Sequence, residues 1–213
     1  MKPSFDTLLA AKGSCLKGVM LEQQSSRGLG KSEAKGLDVT MTKDAAGNLV
    51  IEEAEAGAAD QGVFIPWVPN KAVYFTVTNG ATWLCSGPFS GCEFEIGNTA
   101  DGLIYGAHIH MTSDSHLTET WDQERVACLG RTTNKFRRRI SGPNSADIAH
   151  AKAEVEAGRS LPLIGSFAFV VLGGDLKDAK WYKANCERER GPESAWRIRR
   201  VERAQQETAL INP

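Results

Sequence analysis

An alternation of apolar and acidic residues, Cys92/Phe94/Ile96 against Glu93/Glu95, constrains this chain more than any other stretch. Its period of two is that of a half-buried strand, with the cysteine's face turned inward. Gly97-Asn98-Thr99-Ala100-Asp101-Gly102 supplies turn residues, and Leu103 to Met111 reads as a returning strand. Folded as a hairpin centred on Ala100, the pair sets Ile96 opposite Ile104, Phe94 opposite Gly106 and Cys92 opposite His108. Directly opposed residues in an antiparallel pair hold their Cβ atoms roughly 4.5–5.5 Å apart, close enough for a thiol and an imidazole to meet. A nucleophile beside a base is therefore expected. His110 falls opposite Ser90 on the same face and is the reserve base.

The remaining segments are short. Thr7 to Lys12 predicts a helix stopped by Gly13, and Cys15 to Glu22 a strand, followed by a Ser/Gly/Lys-rich loop from Gln23 to Gly36. Leu37/Val39/Met41, the turn Asp44 to Asn48 and Leu49-Val50-Ile51 predict a hairpin. Glu53 to Gly62 reads as a loop. Val63 to Pro69 carries two prolines and reads as an edge strand or extended wall, because proline cannot donate to a central ladder. Val73 to Thr78 is a strand, and Thr82 to Pro88 a bend leading into the hairpin. Glu119 to Leu129 predicts a helix presenting Trp121, Val126 and Cys128, and Asn144-Ser145 caps a helix from Ala146 to Ala157. Phe167 to Leu172, bracketed by glycines, is the strongest buried-strand signal; beyond Lys180 the chain is a charged tail with one strand at Trp196 to Val201. Many strands with three or four helices predict an α/β chain. The expected form is a single domain over residues 1–213, a sandwich of mixed, largely antiparallel sheets flanked by helices.

Composition narrows the function. With a formal net charge of -1, a general nucleic-acid binder is not expected. Five cysteines, an odd number with no CxxC pair, argue against a complete disulfide framework or a zinc site and for a reducing compartment. No apolar run approaches the ~20 residues that span a bilayer, and the apolar stretch at Phe5 to Ala11 is too short for a cleaved secretory leader. His108-x-His110 with Asp114 and His116 lacks a third ligand placed by spacing, so no metal is expected.

Only a thiolate attacks, and a neighbouring histidine stabilises it and later protonates a leaving group. Gly91 before Cys92 suits close backbone approach, with the amides of Cys92 and its neighbours as oxyanion donors. Ser86, six residues upstream, offers a hydroxyl to orient the histidine or bind a carbonyl. On residues alone, a buried thiol beside a core histidine remains the blander alternative.

Phe89-Ser90-Gly91-Cys92 resembles the Leu-Ser-Gly-Cys motif of the protein-glutamine deamidase toxins, the group of the cytotoxic necrotizing factor catalytic domain and the Burkholderia lethal factor. Ile104-Tyr105-Gly106-Ala107-His108 is similar to the Ile-Tyr-x-x-His of the former, and His108-Ile109 to the His-Ile of the latter. Ser86 stands where the lethal factor has a threonine, and Phe89 where the motif has leucine. The resemblance implies Cys92 as nucleophile, His108 as acid and base, and Ser86 as orienting hydroxyl, with Ser90 and Gly91 lining the substrate and oxyanion position. It implies no cofactor, and a monomer acting on a glutamine in a host regulatory protein such as a Rho-type GTPase or a translation-initiation helicase. Delivery into host cytoplasm without a cleaved leader would follow. The rivals are a chemoreceptor deamidase in its own cell, whose Leu-Gly-Ser-Cys order differs, a cysteine peptidase, and a non-enzymatic binding domain. Lys135 to Arg139 and Arg197 to Arg203 read as solvated basic clusters or, alternatively, docking patches for an acidic partner. Trp67 and Tyr74 are core residues or line the entrance, and Cys15, Cys85, Cys128 and Cys186 read as structural thiols.

Overall fold

A computed structural model describes residues 1–18, 36–55, 57–69, 71–77, 80–110, 116–140, 144–158, 162–188 and 195–204. Twelve strands are described, in chain order. They are β1 (Cys15–Lys17), β2 (Leu37–Lys43), β3 (Leu49–Glu53), β4 (Gly62–Ile65), β5 (Ala72–Thr76) and β6 (Trp83–Phe89). There follow β7 (Glu93–Asn98), β8 (Ile104–Ile109), β9 (Thr133–Arg139), β10 (Leu163–Val171), β11 (Lys180–Arg188) and β12 (Trp196–Ala204). Three α-helices accompany them, α1 (Phe5–Ala10), α2 (His116–Leu129) and α3 (Ser145–Glu156). The described fold is thus mostly β with few helices.

Eight strands close into a barrel in the order β1-β12-β11-β10-β6-β4-β2-β3, and four form a separate sheet, β5-β8-β7-β9. Both arrangements are largely antiparallel; β1 with β3 and β4 with β6 are the parallel pairs. A barrel therefore stands where a sandwich was expected. Closure happens because β1 pairs on one side with β3 and on the other with β12, joining the two ends of the sheet. Alternation within a strand reports which face is buried, and contains nothing about which edges meet.

Inward-facing Leu16, Val39, Met41, Ile51, Phe64, Trp83, Cys85, Phe167, Phe169 and Ile198 fill the barrel, joined by Leu8 from α1. The outer wall of the same strands is also apolar: Val63 and Ile65 of β4, Leu84 and Phe89 of β6, Ala168 and Val170 of β10. These pack against Val73, Phe94 and Ile96 of the four-stranded sheet. On its far side that sheet presents Tyr105, Ala107 and Ile109 to Trp121 and Leu129 of α2. Barrel wall, sheet and helix thus form three layers. The unbroken run Phe167 to Leu172 follows from this, since a strand covered on both faces needs apolar residues at every position.

Several local readings hold. Asp44 closes the β2–β3 turn, its carboxylate accepting from the Asn48 amide (2.9 Å) and side chain (2.8 Å). Asn144 caps α3 by accepting from the amides of Ala146 and Asp147, while Asp147 accepts from the Asn144 amide, a reciprocal cap. Others are corrected. Val63 to Ile65 is no edge: β4 lies between β2 and β6, and its prolines fall beyond its end. Thr82 to Pro88 is mostly strand β6, Lys180 to Arg188 is a nine-residue strand, and Lys135 to Arg139 belongs to β9. The loop read over Gln23 to Gly36 and the second half of the strand read over Cys15 to Glu22 lie almost wholly outside the described residues.

Candidate active site

β7 and β8 pair as expected in kind, but the register is displaced by two residues. Phe94 faces His108 and Ile96 faces Gly106. The turn explains the displacement. Thr99 takes its amide to the Leu103 carbonyl (2.8 Å) and receives the Leu103 amide on its hydroxyl (3.1 Å), which centres the loop on Asp101. A two-residue slip preserves faces, so Cys92 and His108 stay on the barrel side of the sheet. Continuing the count by one pair sets Cys92 opposite His110, with His108 its diagonal neighbour.

His108 is held from two sides. Its Nδ1 lies 2.7 Å from the Ser86 hydroxyl, which in turn lies 2.6 Å from the Ile65 carbonyl. The hydroxyl has one proton and a carbonyl can only accept, so Ser86 donates to Ile65 and accepts from His108. Nδ1 therefore carries the imidazole proton and Nε2 the lone pair. The Phe89 ring stacks on the imidazole at 4.0 Å with 14° between planes. Among the described residues Nε2 has no hydrogen-bond partner, the Cys92 thiol included.

A bulge brings both Ser86 and Phe89 to this ring. They are three residues apart, so an ideal strand would point them to opposite faces. Against β10, however, Ser86 pairs with Ala168 and Phe89 with Ser166, one extra residue on β6. Gly87 absorbs it at φ 153°, and a Cβ there would lie 2.5 Å from the Phe167 ring. Only glycine meets both conditions.

Burial, with a smaller contribution from nearby His110, pushes the His108 pKa down to about 3, so its ring is neutral at neutral pH. The sign of the consequence is fixed. An unfolded chain takes up the proton near pH 6.5 and the folded chain refuses it until about 3. This group's contribution is complete above about pH 6.5 and is lost as pH falls towards 3. Urea titrations of His108→Gln should show a shallower loss of stability between pH 6 and 4, by up to about tenfold in the folding constant per pH unit. Parallel curves for the two proteins would refute this. Ser86→Ala strips partners from two buried groups, the Nδ1 proton and the Ile65 carbonyl, and should cost about 1–3 kcal/mol in denaturation. It should also release the tautomer, visible in the imidazole nitrogen NMR shifts.

Cys92 follows Gly91, whose φ is 123°, and precedes β7; only 3% of its surface is accessible. The described residues thus cover the thiol rather than opening a cleft over it. Ser90 is exposed and Gly91 half-buried, so the chain passes from surface to core at Cys92. His110 is half-buried and edge-on to Trp67 at 5.4 Å, its amide bonded to the Lys71 carbonyl (3.2 Å). Cys85 and Cys186 sit in the barrel, where burial pushes their thiols far up, whereas Cys128 is exposed and Cys15 intermediate. Asp114, weighed as a metal ligand, lies outside the described residues.

Behind the sheet lies a charged cluster that the sequence reading missed. Glu95, which the alternation assigns to the solvent side, is fully buried. It accepts from Tyr105 (2.7 Å), Trp121 (3.3 Å), Arg125 (3.2 Å) and Arg137 (2.6 Å). Asp122 joins Arg125 and Arg137. The basic run of β9 thus supplies a buried partner rather than a wholly solvated face. The β12 arginines are likewise engaged: Arg199 with Glu187, Arg200 with Asp147 and Glu202, and Arg203 over the Phe5 ring at 4.5 Å.

No protein-family profile and no curated protein sequence matches the chain. Among solved structures it is similar to the C-terminal domain of CNFy from Yersinia pseudotuberculosis. The TM-score is 0.34 at 8% identity, over 84% of this chain and 75% of that one. A likeness that distant assigns neither a shared fold nor an activity.

Proposed function

We propose that the chain is a cysteine-dependent deamidase that converts a glutamine side chain of a host protein to glutamate. One observation carries the reading. A buried hydroxyl at position 86 fixes the His108 tautomer and leaves Nε2 with a lone pair and no partner, on the sheet face shared with Cys92. A buried nitrogen without a partner is costly in a purely structural histidine and useful in a base. The motif Ser90-Gly91-Cys92 with Ser86 and His108 at the spacing of the glutamine-deamidase toxins supports the same reading.

In the proposed reaction the thiol comes within hydrogen-bond distance of Nε2 and gives it a proton. The thiolate attacks the carboxamide carbon, and the oxygen takes up charge facing the backbone amides at Cys92 and its neighbours. The C–N bond breaks as His108 passes its proton to the departing ammonia. Water then attacks the thioester, losing a proton to Nε2, and the C–S bond breaks to give glutamate and free Cys92.

The near-complete burial of Cys92 favours one other reading, a binding domain with a structural thiol. Mass spectrometry of host lysate treated with the wild type or with Cys92→Ala separates them. A glutamine-to-glutamate change with the wild type alone is the expected result; no such change in any protein would end the proposal, and new peptide termini would indicate a peptidase.

A further inference from the structure

Proton transfer from the Cys92 thiol makes His108 a cation in a place that offers it no anion. Ser86, and the Ile65 carbonyl behind it, are neutral. Val73 of β5 and Phe94 of β7 stand opposite His108 in the two flanking ladders, and both are apolar. His110, two residues along β8, adds repulsion when charged. Glu93 and Glu95 belong to the other face of the sheet, where they meet Arg137. Among the described residues, therefore, no carboxylate faces the ring, and burial works against its charged form. The thiolate gives only brief relief, because its charge is spent when it attacks, whereas the imidazolium has to last until ammonia departs.

What the ring does meet is the face of Phe89, 4.0 Å away and 14° from parallel. An aromatic face carries negative charge density and attracts a cation within about 6 Å of its centroid, more strongly where water is excluded. Phe89 is fully buried and cannot swing aside. It packs edge-to-face with Phe94 at 5.8 Å, and Phe94 packs in turn on Trp181 at 5.8 Å. The extra residue absorbed at Gly87 is what turns Phe89 to this face of β6 together with Ser86. The deamidase-toxin motif has leucine at this position, so the stack is this chain's own.

We infer that Phe89 is a positioning residue that acts through His108, its π face stabilising the imidazolium that forms when Cys92 gives up its proton. This rests on the Cys92–His108 chemistry of the deamidase reading, and its test separates the two. Phenylalanine at position 89 is replaced in the full-length chain by its monofluoro, difluoro and trifluoro analogues, which keep the ring's shape and drain its face of negative charge. A stack on a neutral imidazole is unmoved or strengthened by that change, whereas a stack on an imidazolium is weakened. Alkylation by iodoacetamide at neutral pH is followed by peptide mass spectrometry at Cys92, with the exposed Cys128 as internal reference. The Cys92 rate should fall stepwise along the series, by about 5- to 30-fold at the trifluoro analogue, while the Cys128 rate and the urea midpoint hold steady. Glutamine conversion in host lysate should fall in parallel, and Phe89→Leu should match the trifluoro analogue. Equal or rising Cys92 rates along the series overturn the inference and leave the deamidase reading standing, as does a loss that tracks the urea midpoint. A stepwise fall without any glutamine converted ends the deamidase reading and leaves the inference standing. A wild-type Cys92 that iodoacetamide never modifies overturns both, because a thiol closed to that reagent attacks no carboxamide.

Discussion

Alanine at Glu95 is expected to cost the fold about 3–5 kcal/mol, a large share of the ~5–15 kcal/mol that holds a domain together. The carboxylate is fully buried, and four side chains donate to it. Without it Arg125 and Arg137 face each other in a low-dielectric layer with Asp122 and the more distant Glu93 to offset them, and the Tyr105 hydroxyl loses its acceptor. The penalty comes from the orphaned charges more than from the lost attraction, so it should shrink when they go too. Arg125→Met with Arg137→Leu and Glu95→Leu should be more stable than Glu95→Ala alone, by a coupling of about 0.5–3 kcal/mol. Urea denaturation measures both effects. A loss under about 1 kcal/mol for Glu95→Ala would mean that water reaches the cluster and that it does not tie α2 and β9 to the back of the hairpin.

Removal of the imidazole at 108 should lower deamidation about 10²–10⁴-fold, the usual contribution of a positioned acid and base. His110→Ala should cost less than about tenfold, although the register, continued one pair past Glu93–Ile109, sets position 110 across from Cys92. The reason is orientation. His108 has a fixed tautomer, a stacked ring and a free Nε2, whereas His110 packs edge-on against Trp67 at the end of β8. Conversion of the target glutamine, quantified in lysate with each variant at equal concentration, checks the order. A larger loss in His110→Ala would transfer the base to position 110.

Two errors of the sequence reading share one cause. Glu95 looked solvated because alternation distinguishes two faces and cannot say that a helix covers the second. The run Lys135 to Arg139 looked like surface charge because the carboxylates that need it, Glu95 and Asp122, are distant in sequence. Buried ion pairs leave no local periodicity, so neither partner is legible without the other. The two-residue displacement of the hairpin came from the Thr99 hydroxyl, which selects Leu103 as its partner within a loop that admits several registers.

The β2–β3 hairpin, the buried strand at Phe167, the Asp44 turn, the Asn144 cap of α3 and the shared face of Cys92 and His108 were determined by sequence alone. Each depends on residues a few positions apart or on parity, which a two-residue slip does not alter. Barrel closure, the layer covering Glu95, the near-complete burial of Cys92 and the meeting of Ser86 with Phe89 on the His108 ring were decided only in three dimensions. Those depend on which edges join and on where one extra residue is absorbed, here at Gly87, and such choices are settled by contacts between segments far apart in the chain.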